Sequence, residues 1–215
     1  MFDRQQIKKI LARAQEIDPG CEAFGASKHR YQFRPPLAAD FVRKAEGQYG
    51  FRLPEDYFRF ITEVGDGGAG PGYGIDSFAD FLKPRDPLLM ASFCQSLALP
   101  FEVRPMQPDE VEEYAITSPE NYAKSPERYF VYTLPDEDKP YSTTGFLELG
   151  THGCQWDFGL ITAGGRFGQV FDIDNEGSCA FVAASFDEYY QLWLDWLADE
   201  RKLRAEVNFW RRPTQ

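Results

Sequence analysis

Two histidines, His29 and His152, are all that 215 residues contain. No H-x-x-x-H or equivalent spacing exists, so a His-built metal site has no sequence support, and base-assisted nucleophilic catalysis is confined to two places. Cysteine is nearly as sparse. Cys21, Cys94, Cys154 and Cys179 are scattered with no C-x-x-C pair, which reads as small core residues kept reduced. No stretch approaches the roughly 20 apolar residues of a membrane span, and Met1-Phe2-Asp3-Arg4-Gln5-Gln6 has no apolar signal core. A cytoplasmic location and no membrane partner are therefore expected.

Positive charge is short through the middle of the chain. Against 34 Asp/Glu stand 23 Lys/Arg, a net charge of −11. Residues 1–60 hold eleven Lys/Arg and eight Asp/Glu, a net of +3; residues 61–200 hold seven and twenty-five, a net of −18; residues 201–215 return to +4. Phosphate backbones need clustered cations, so no nucleic acid partner is expected. The acidic middle either keeps the chain soluble or steers a basic partner towards it. Apolar material is abundant: 43% hydrophobic and 16% aromatic residues suffice for the core of one domain and exclude a disordered chain.

Periodicity predicts a first helix over 3–17, with Ile7, Ile10, Leu11, Ala14 and Ile17 on one face, Asp3 as N-cap and Pro19-Gly20 as the stop. Residues 20–36 read as irregular. Pro35-Pro36 predicts the start of a second helix that buries Phe41, Val42, Ala45 and Tyr49 and ends at Gly50. A third starts at Pro54, carries Glu55 and Asp56 in its positive first turn, buries Tyr57, Phe60, Ile61 and Val64, and closes at Gly65. Residues 75–144 are punctuated by Pro. Their short apolar pieces, such as Leu88-Leu89-Met90 and Tyr129-Phe130-Val131-Tyr132, predict short strands and helices.

Further on, Cys154, Trp156, Phe158 and Leu160 alternate with Gln155, Asp157 and Gly159, as in a half-buried strand. Gly164-Gly165 turns the chain into a second strand over Phe167–Ile173, and Asp174-Asn175-Glu176-Gly177 into a third over Cys179–Val182. Ser185 and Glu188 form a capping box ahead of a stripe of Phe186, Tyr189, Trp193, Trp196 and Leu197. A meander between helices predicts the α+β class: an antiparallel or mixed sheet with flanking helices in a single domain.

Three strings imitate known sites. Gly65-Asp66-Gly67-Gly68-Ala69-Gly70 matches G-x-G-x-x-G, yet it follows a helix and runs into Pro71, where a dinucleotide fingerprint lies between a strand and its helix. It reads instead as a left-handed (αL) helix cap continuing into a tight, side-chain-poor loop, Gly65 to Gly74, with Tyr73 tucked against the core. Asp172 to Gly177 starts like a calcium loop, but position twelve is Ala183 instead of Glu, which favours a hairpin turn. His152-Gly153-Cys154 sets a base beside a thiol, although such pairs draw their members from distant segments. Glu112-Glu113 and Asp136-Glu137-Asp138 are solvated charge runs or anchors for a basic partner. No cofactor and no metal are expected.

Gly50-Phe51-Arg52-Leu53-Pro54-Glu55-Asp56-Tyr57 resembles the G-F-x-L-P-x-D-Y segment of the SUKH superfamily, and Gly65 to Gly74 resembles its G-N-G-G-x-G-P-x-Y-G loop. Gly150-Thr151-His152-Gly153-Cys154 and Gly168-Gln169-Val170-Phe171 resemble its later G-x-x-G-C and G-x-V-W segments, in the same order. Asp66 stands where Asn is usual and Phe171 where Trp is usual. The resemblance implies a SUKH-like α+β domain over 35–200, after a helical extension over 1–34 and before a basic tail over 201–215. It also implies the absence of catalytic residues and a role in protein binding: bacterial relatives are mostly toxin immunity proteins, and fungal relatives look like regulators of cell-wall synthesis.

The expected function is thus a non-enzymatic immunity protein that occludes a cognate toxin, a basic one if charge steers the encounter, as a monomer or weak dimer. The alternatives are a regulatory scaffold on host machinery and a small-molecule binder using a cleft beside the glycine-rich loop. The candidate partner-binding residues are the acids and aromatics around the loop and meander: Asp66, Tyr73, His152, Trp156, Asp157, Asp172 and Asp174. Trp156 reads equally as a core residue.

Overall fold

Asp3 starts the first helix, α1 (Arg4–Ile17), because its carboxylate accepts the N–H groups of Gln5 and Gln6 that have no partner inside the helix. Ile7, Leu11 and Ala14 recur at helical spacing and are buried. The computed structural model describes residues 3–83, 87–105, 132–133, 144–154, 156–175 and 177–204. Glu112-Glu113, Asp136-Glu137-Asp138, Tyr129-Phe130-Val131, Gln155, Glu176 and the tail from 205 onward lie outside the described residues, as do the side chains of Leu88-Leu89-Met90.

A one-turn helix, α2 (Ala26–His29), interrupts the stretch predicted to be irregular. α3 (Ala39–Tyr49) begins three residues after Pro36, because the intervening chain is held extended by the Leu37 N–H donating to Ile61 O. Phe41, predicted to be buried, is 45% exposed. The inner face carries Val42, Ala45 and Glu46 instead. The Glu46 carboxylate is stably buried because it accepts the Leu53 N–H at 2.8 Å and lies 2.8 Å from Arg43 and 3.4 Å from Arg52.

α4 (Glu55–Arg59) winds into a single π turn over Phe60–Val64, whose last hydrogen bond runs from Gly65 N–H to Phe60 O. Tyr57, Phe60, Ile61 and Val64 are all buried, as the sequence predicts. α5 (Phe78–Phe81) and α6 (Pro87–Ser96) follow. The strands are β1 (Arg104–Pro105), β2 (Tyr132–Thr133), β3 (Phe146–Gly153), β4 (Trp156–Ile161), β5 (Val170–Asp174) and β6 (Ser178–Ala183), in the antiparallel order β1-β2-β6-β5-β4-β3.

The expected meander is present, with β3 added in front of it. Cys154 does not begin a strand. It sits exposed in the β3–β4 turn with φ +49°, so it is not a core residue, whereas Cys94 and Cys179 are buried. Phe167 is likewise exposed, because the chain turns through Gly168 before β5 starts at Val170.

Register separates the two faces of the sheet. Leu147, Leu149, Phe158, Leu160, Val170 and Ala183 join the main core with α1, α4 and α7 (Phe186–Ala198). Phe146, Ile161, Phe171, Ile173 and Cys179 form a second cluster under Phe101. The start of α7 follows the predicted capping box with one shift: Ser185 accepts the Glu188 N–H, while the Glu188 carboxylate accepts the Ala184 N–H. Asp56 adds a third cap across the molecule by accepting the Asp187 N–H at 3.0 Å. α8 (Glu200–Arg204) then crosses position 201, where the sequence places the start of a tail, and buries Leu203 in the main core. The architecture is α+β in a single domain.

Candidate functional site

The glycine-rich loop prolongs the sheet past β3. Tyr73 N–H donates to Thr151 O at 3.0 Å and Asp76 N–H to Leu149 O at 2.7 Å. Gly68 and Ile75 exchange both backbone hydrogen bonds; on the far side Ala69 N–H donates to Gln32 O and Arg34 N–H to Gly67 O. The space beside the loop, where the sequence suggested a ligand cleft, is therefore taken on both sides by backbone. Gly72 is required here, since its φ is +58° and a Cβ would stand 2.4 Å from Thr151 O and 2.8 Å from His152 Nδ1.

Asp66 is not at the surface. It is 3% exposed, and its carboxylate accepts the Ser77 hydroxyl at 2.6 Å and the Phe78 N–H at 2.8 Å. It holds the start of α5 in place and is unavailable to a partner, a correction to the sequence-based expectation. Asp172 is also buried, at 8% exposure, facing the ring of His152 with 3.3 Å between Nε2 and Oδ1. That ring stacks on Phe158 at 4.7 Å, so His152 turns inward to Asp172 and Phe158. Asp174 receives the Ser178 N–H at 2.8 Å and shapes the β5–β6 turn, in line with the hairpin reading of this segment.

Tyr73 is 39% exposed, lies over Gly153 and keeps its ring 5.2 Å from Phe24. Trp156 is half-buried and pairs with Asp174 across β4 and β5. Asp157 points to the opposite face of the sheet from Trp156. The seven candidates thus divide into interior side chains, Asp66, His152 and Asp172, and a group of Tyr73, Trp156, Asp157 and Asp174 around the tip of the β3–β4 hairpin.

A cluster that the sequence reading missed lies beside that tip. Asp157 shares a face with Glu148, which pairs with Gly159 two positions along β4, and Asp76 is joined to the neighbouring Leu149. Two of the three carboxyls, Glu148 and Asp76, are held above their ordinary range. Reduced hydration, then the charges of Asp157 and Asp76, push Glu148 up to about 7; reduced hydration, then Asp157 and Asp80, raise Asp76. Glu148 between Leu147 and Leu149 was the available signal, an isolated acid inside an apolar strand.

Replacing Glu148 with Gln should stabilise the fold, because the raised pKa marks an ionised form that the fold disfavours. The gain should be absent below pH 4.5, grow as pH rises from 4.5 to about 7, level off above that and stay under about 1 kcal/mol, since the residue is exposed and screened. Urea titrations of both proteins at pH 4 and pH 8 measure it. An equal or lower stability of the variant at pH 8 contradicts the assignment.

No described helix is long and apolar enough to cross a membrane. A family model described as SMI1 / KNR4 family (SUKH-1) matches residues 36–192, which include the Gly50–Tyr57 segment, the glycine-rich loop and the whole meander. No curated protein matches the chain, and no solved structure does.

Proposed function

The chain belongs to the SMI1/KNR4 family (SUKH-1), and on that premise we propose that it is a non-catalytic protein-binding module, an immunity protein that neutralises a cognate toxin by direct contact. The carboxyls of Asp76, Glu148 and Asp157 carry this reading. After reduced hydration, the charges of Asp157 and Asp76 raise Glu148, and that of Asp157 helps to raise Asp76, so this repulsion is relieved when a cationic group docks among them. Tyr73 supplies an exposed aromatic next to the same hairpin tip. A basic toxin surface therefore gains twice, from steering by the −18 segment and from contact with a cluster poised for cations.

The test is co-expression with toxin domains encoded by neighbouring genes, where a cognate toxin is expected, followed by pull-down and growth rescue. A complex is expected whose association slows about tenfold or more between low and physiological salt, and whose salt dependence flattens in the Asp76→Asn/Glu148→Gln/Asp157→Asn variant. Absence of a complex with any such toxin domain rejects the role. A complex insensitive to both salt and the triple variant rejects the surface.

A further inference from the structure

We infer that the groove between α1 and residues 31–36 is a second contact surface, of opposite charge to the first, that takes an extended acidic peptide of a partner protein. The ribbon that continues the sheet ends at Gln32–Arg34. Gln32 O and Arg34 N–H face the glycine-rich loop, so alternation turns the N–H and C=O of Phe33 outward. Among the described residues these two groups have no hydrogen-bond partner. They border a groove of about 460 Å³ whose other wall is α1, with Leu11 and Ala12 along it.

Charge selects the occupant. Arg4 and Lys8 line the groove from α1, and Arg34 lines it from the ribbon. Arg34 shares its guanidinium with Asp80, whereas Arg4 and Lys8 have no carboxylate partner among the described residues. An extended peptide laid along the groove forms one pair of backbone hydrogen bonds with Phe33, and its carboxylates meet Arg4 and Lys8. Pro35 has no N–H, so the open edge ends there and pairing is limited to that short register. All but one of the lining residues lie before or at the first residue of the family match, so the groove belongs to this chain's own N-terminal segment.

The inference relies on the proposed function only for the class of ligand, and the two surfaces are tested separately. Fluorescence anisotropy on the full chain uses a labelled dodecapeptide of alternating Glu and Val, its Lys/Val counterpart and a thymidine oligonucleotide. The acidic peptide should bind, Arg4→Glu/Lys8→Glu should weaken it about tenfold or more, and the Asp76/Glu148/Asp157 triple variant should leave it unchanged. In the unmutated protein the peptide should shift the Phe33 amide resonance, a readout independent of any variant's folding. No binding of the acidic peptide, binding that leaves Phe33 unshifted, or an oligonucleotide that binds as tightly and with the same sensitivity overturns the inference. So does a native dimer that Arg4→Glu/Lys8→Glu converts to monomer, since the groove is then filled by a second copy.

Discussion

Gly25→Ala should cost at least about 3 kcal/mol of stability, whereas Gly47→Ala should add about 0.5–1 kcal/mol. At Gly25 φ is +77°, and a Cβ would stand 1.7 Å from Gly72 O and 2.6 Å from Gly72 C. Those are backbone atoms of a loop already fixed to Thr151, so no side-chain rotation relieves the clash. Either α2 moves or the glycine-rich loop leaves β3. Gly47 lies inside α3, and a methyl group added there would have nothing within 4 Å, so Ala only removes backbone freedom from the unfolded chain. Chemical denaturation of the two variants beside the parent measures both, and a Gly25→Ala protein of parental stability would show that α2 is not locked to the loop.

Acid should weaken the fold through His29. Burial lowers this imidazole from 6.5 to about 4, its Nδ1 accepts the Tyr31 N–H at 3.0 Å, and Trp193 meets it edge-on at 5.8 Å. The folded state holds the neutral ring, while the unfolded chain takes up a proton first. Its contribution is therefore complete above pH 6.5, is lost as pH falls from 6.5 to 4, and changes no further below 4. The loss is on the order of 3 kcal/mol, or roughly 6–12 °C in Tm for a chain of this size. Glu148 works in the opposite sense over an overlapping range, so the comparison is with His29→Gln, which keeps the Glu148 response and drops the His29 one. The variant should be less stable at pH 7 and lose far less on acidification. Parallel curves for the two proteins from pH 7 to pH 4 would rule out His29 as the acid-sensitive group.

Much of this fold is written in single residues whose role is local. Asp3 and Ser185 cap helices where their side chains predict, and the stripes of α1 and α7 follow from spacing alone; Gly65 ends its helix at the expected position but in extended backbone, φ 178°, and not as a left-handed cap. β3 escapes such reading because it breaks alternation: register shifts fall between Glu148 and Gly150 and again between Thr151 and Gly153, and Glu148 is the exposed residue in an apolar run. Phe41 is misplaced by periodicity because Glu46, an acid by type, is buried by partners that spacing cannot see. The site is harder to read. Asp66 looks like a loop acid and is an interior hydrogen-bond acceptor, and the Asp76/Glu148/Asp157 cluster exists only once the loop is laid beside β3. Long-range backbone pairing decides both, and sequence spacing carries no trace of it.

The bond from Asp187 N–H to Asp56 joins residues 131 positions apart, and it sets a timetable for the ribosome. α4 leaves the exit tunnel well before the helix it caps, whose Phe186 and Tyr190 close over Phe60. Until then Tyr57, Phe60 and the apolar stripe of α1 lack the surface that covers them in the native core. Folding of this domain is accordingly completed only after α7 has been synthesised, and a nascent chain stalled before residue 186 presents sticky aromatic surface that holding chaperones recognise.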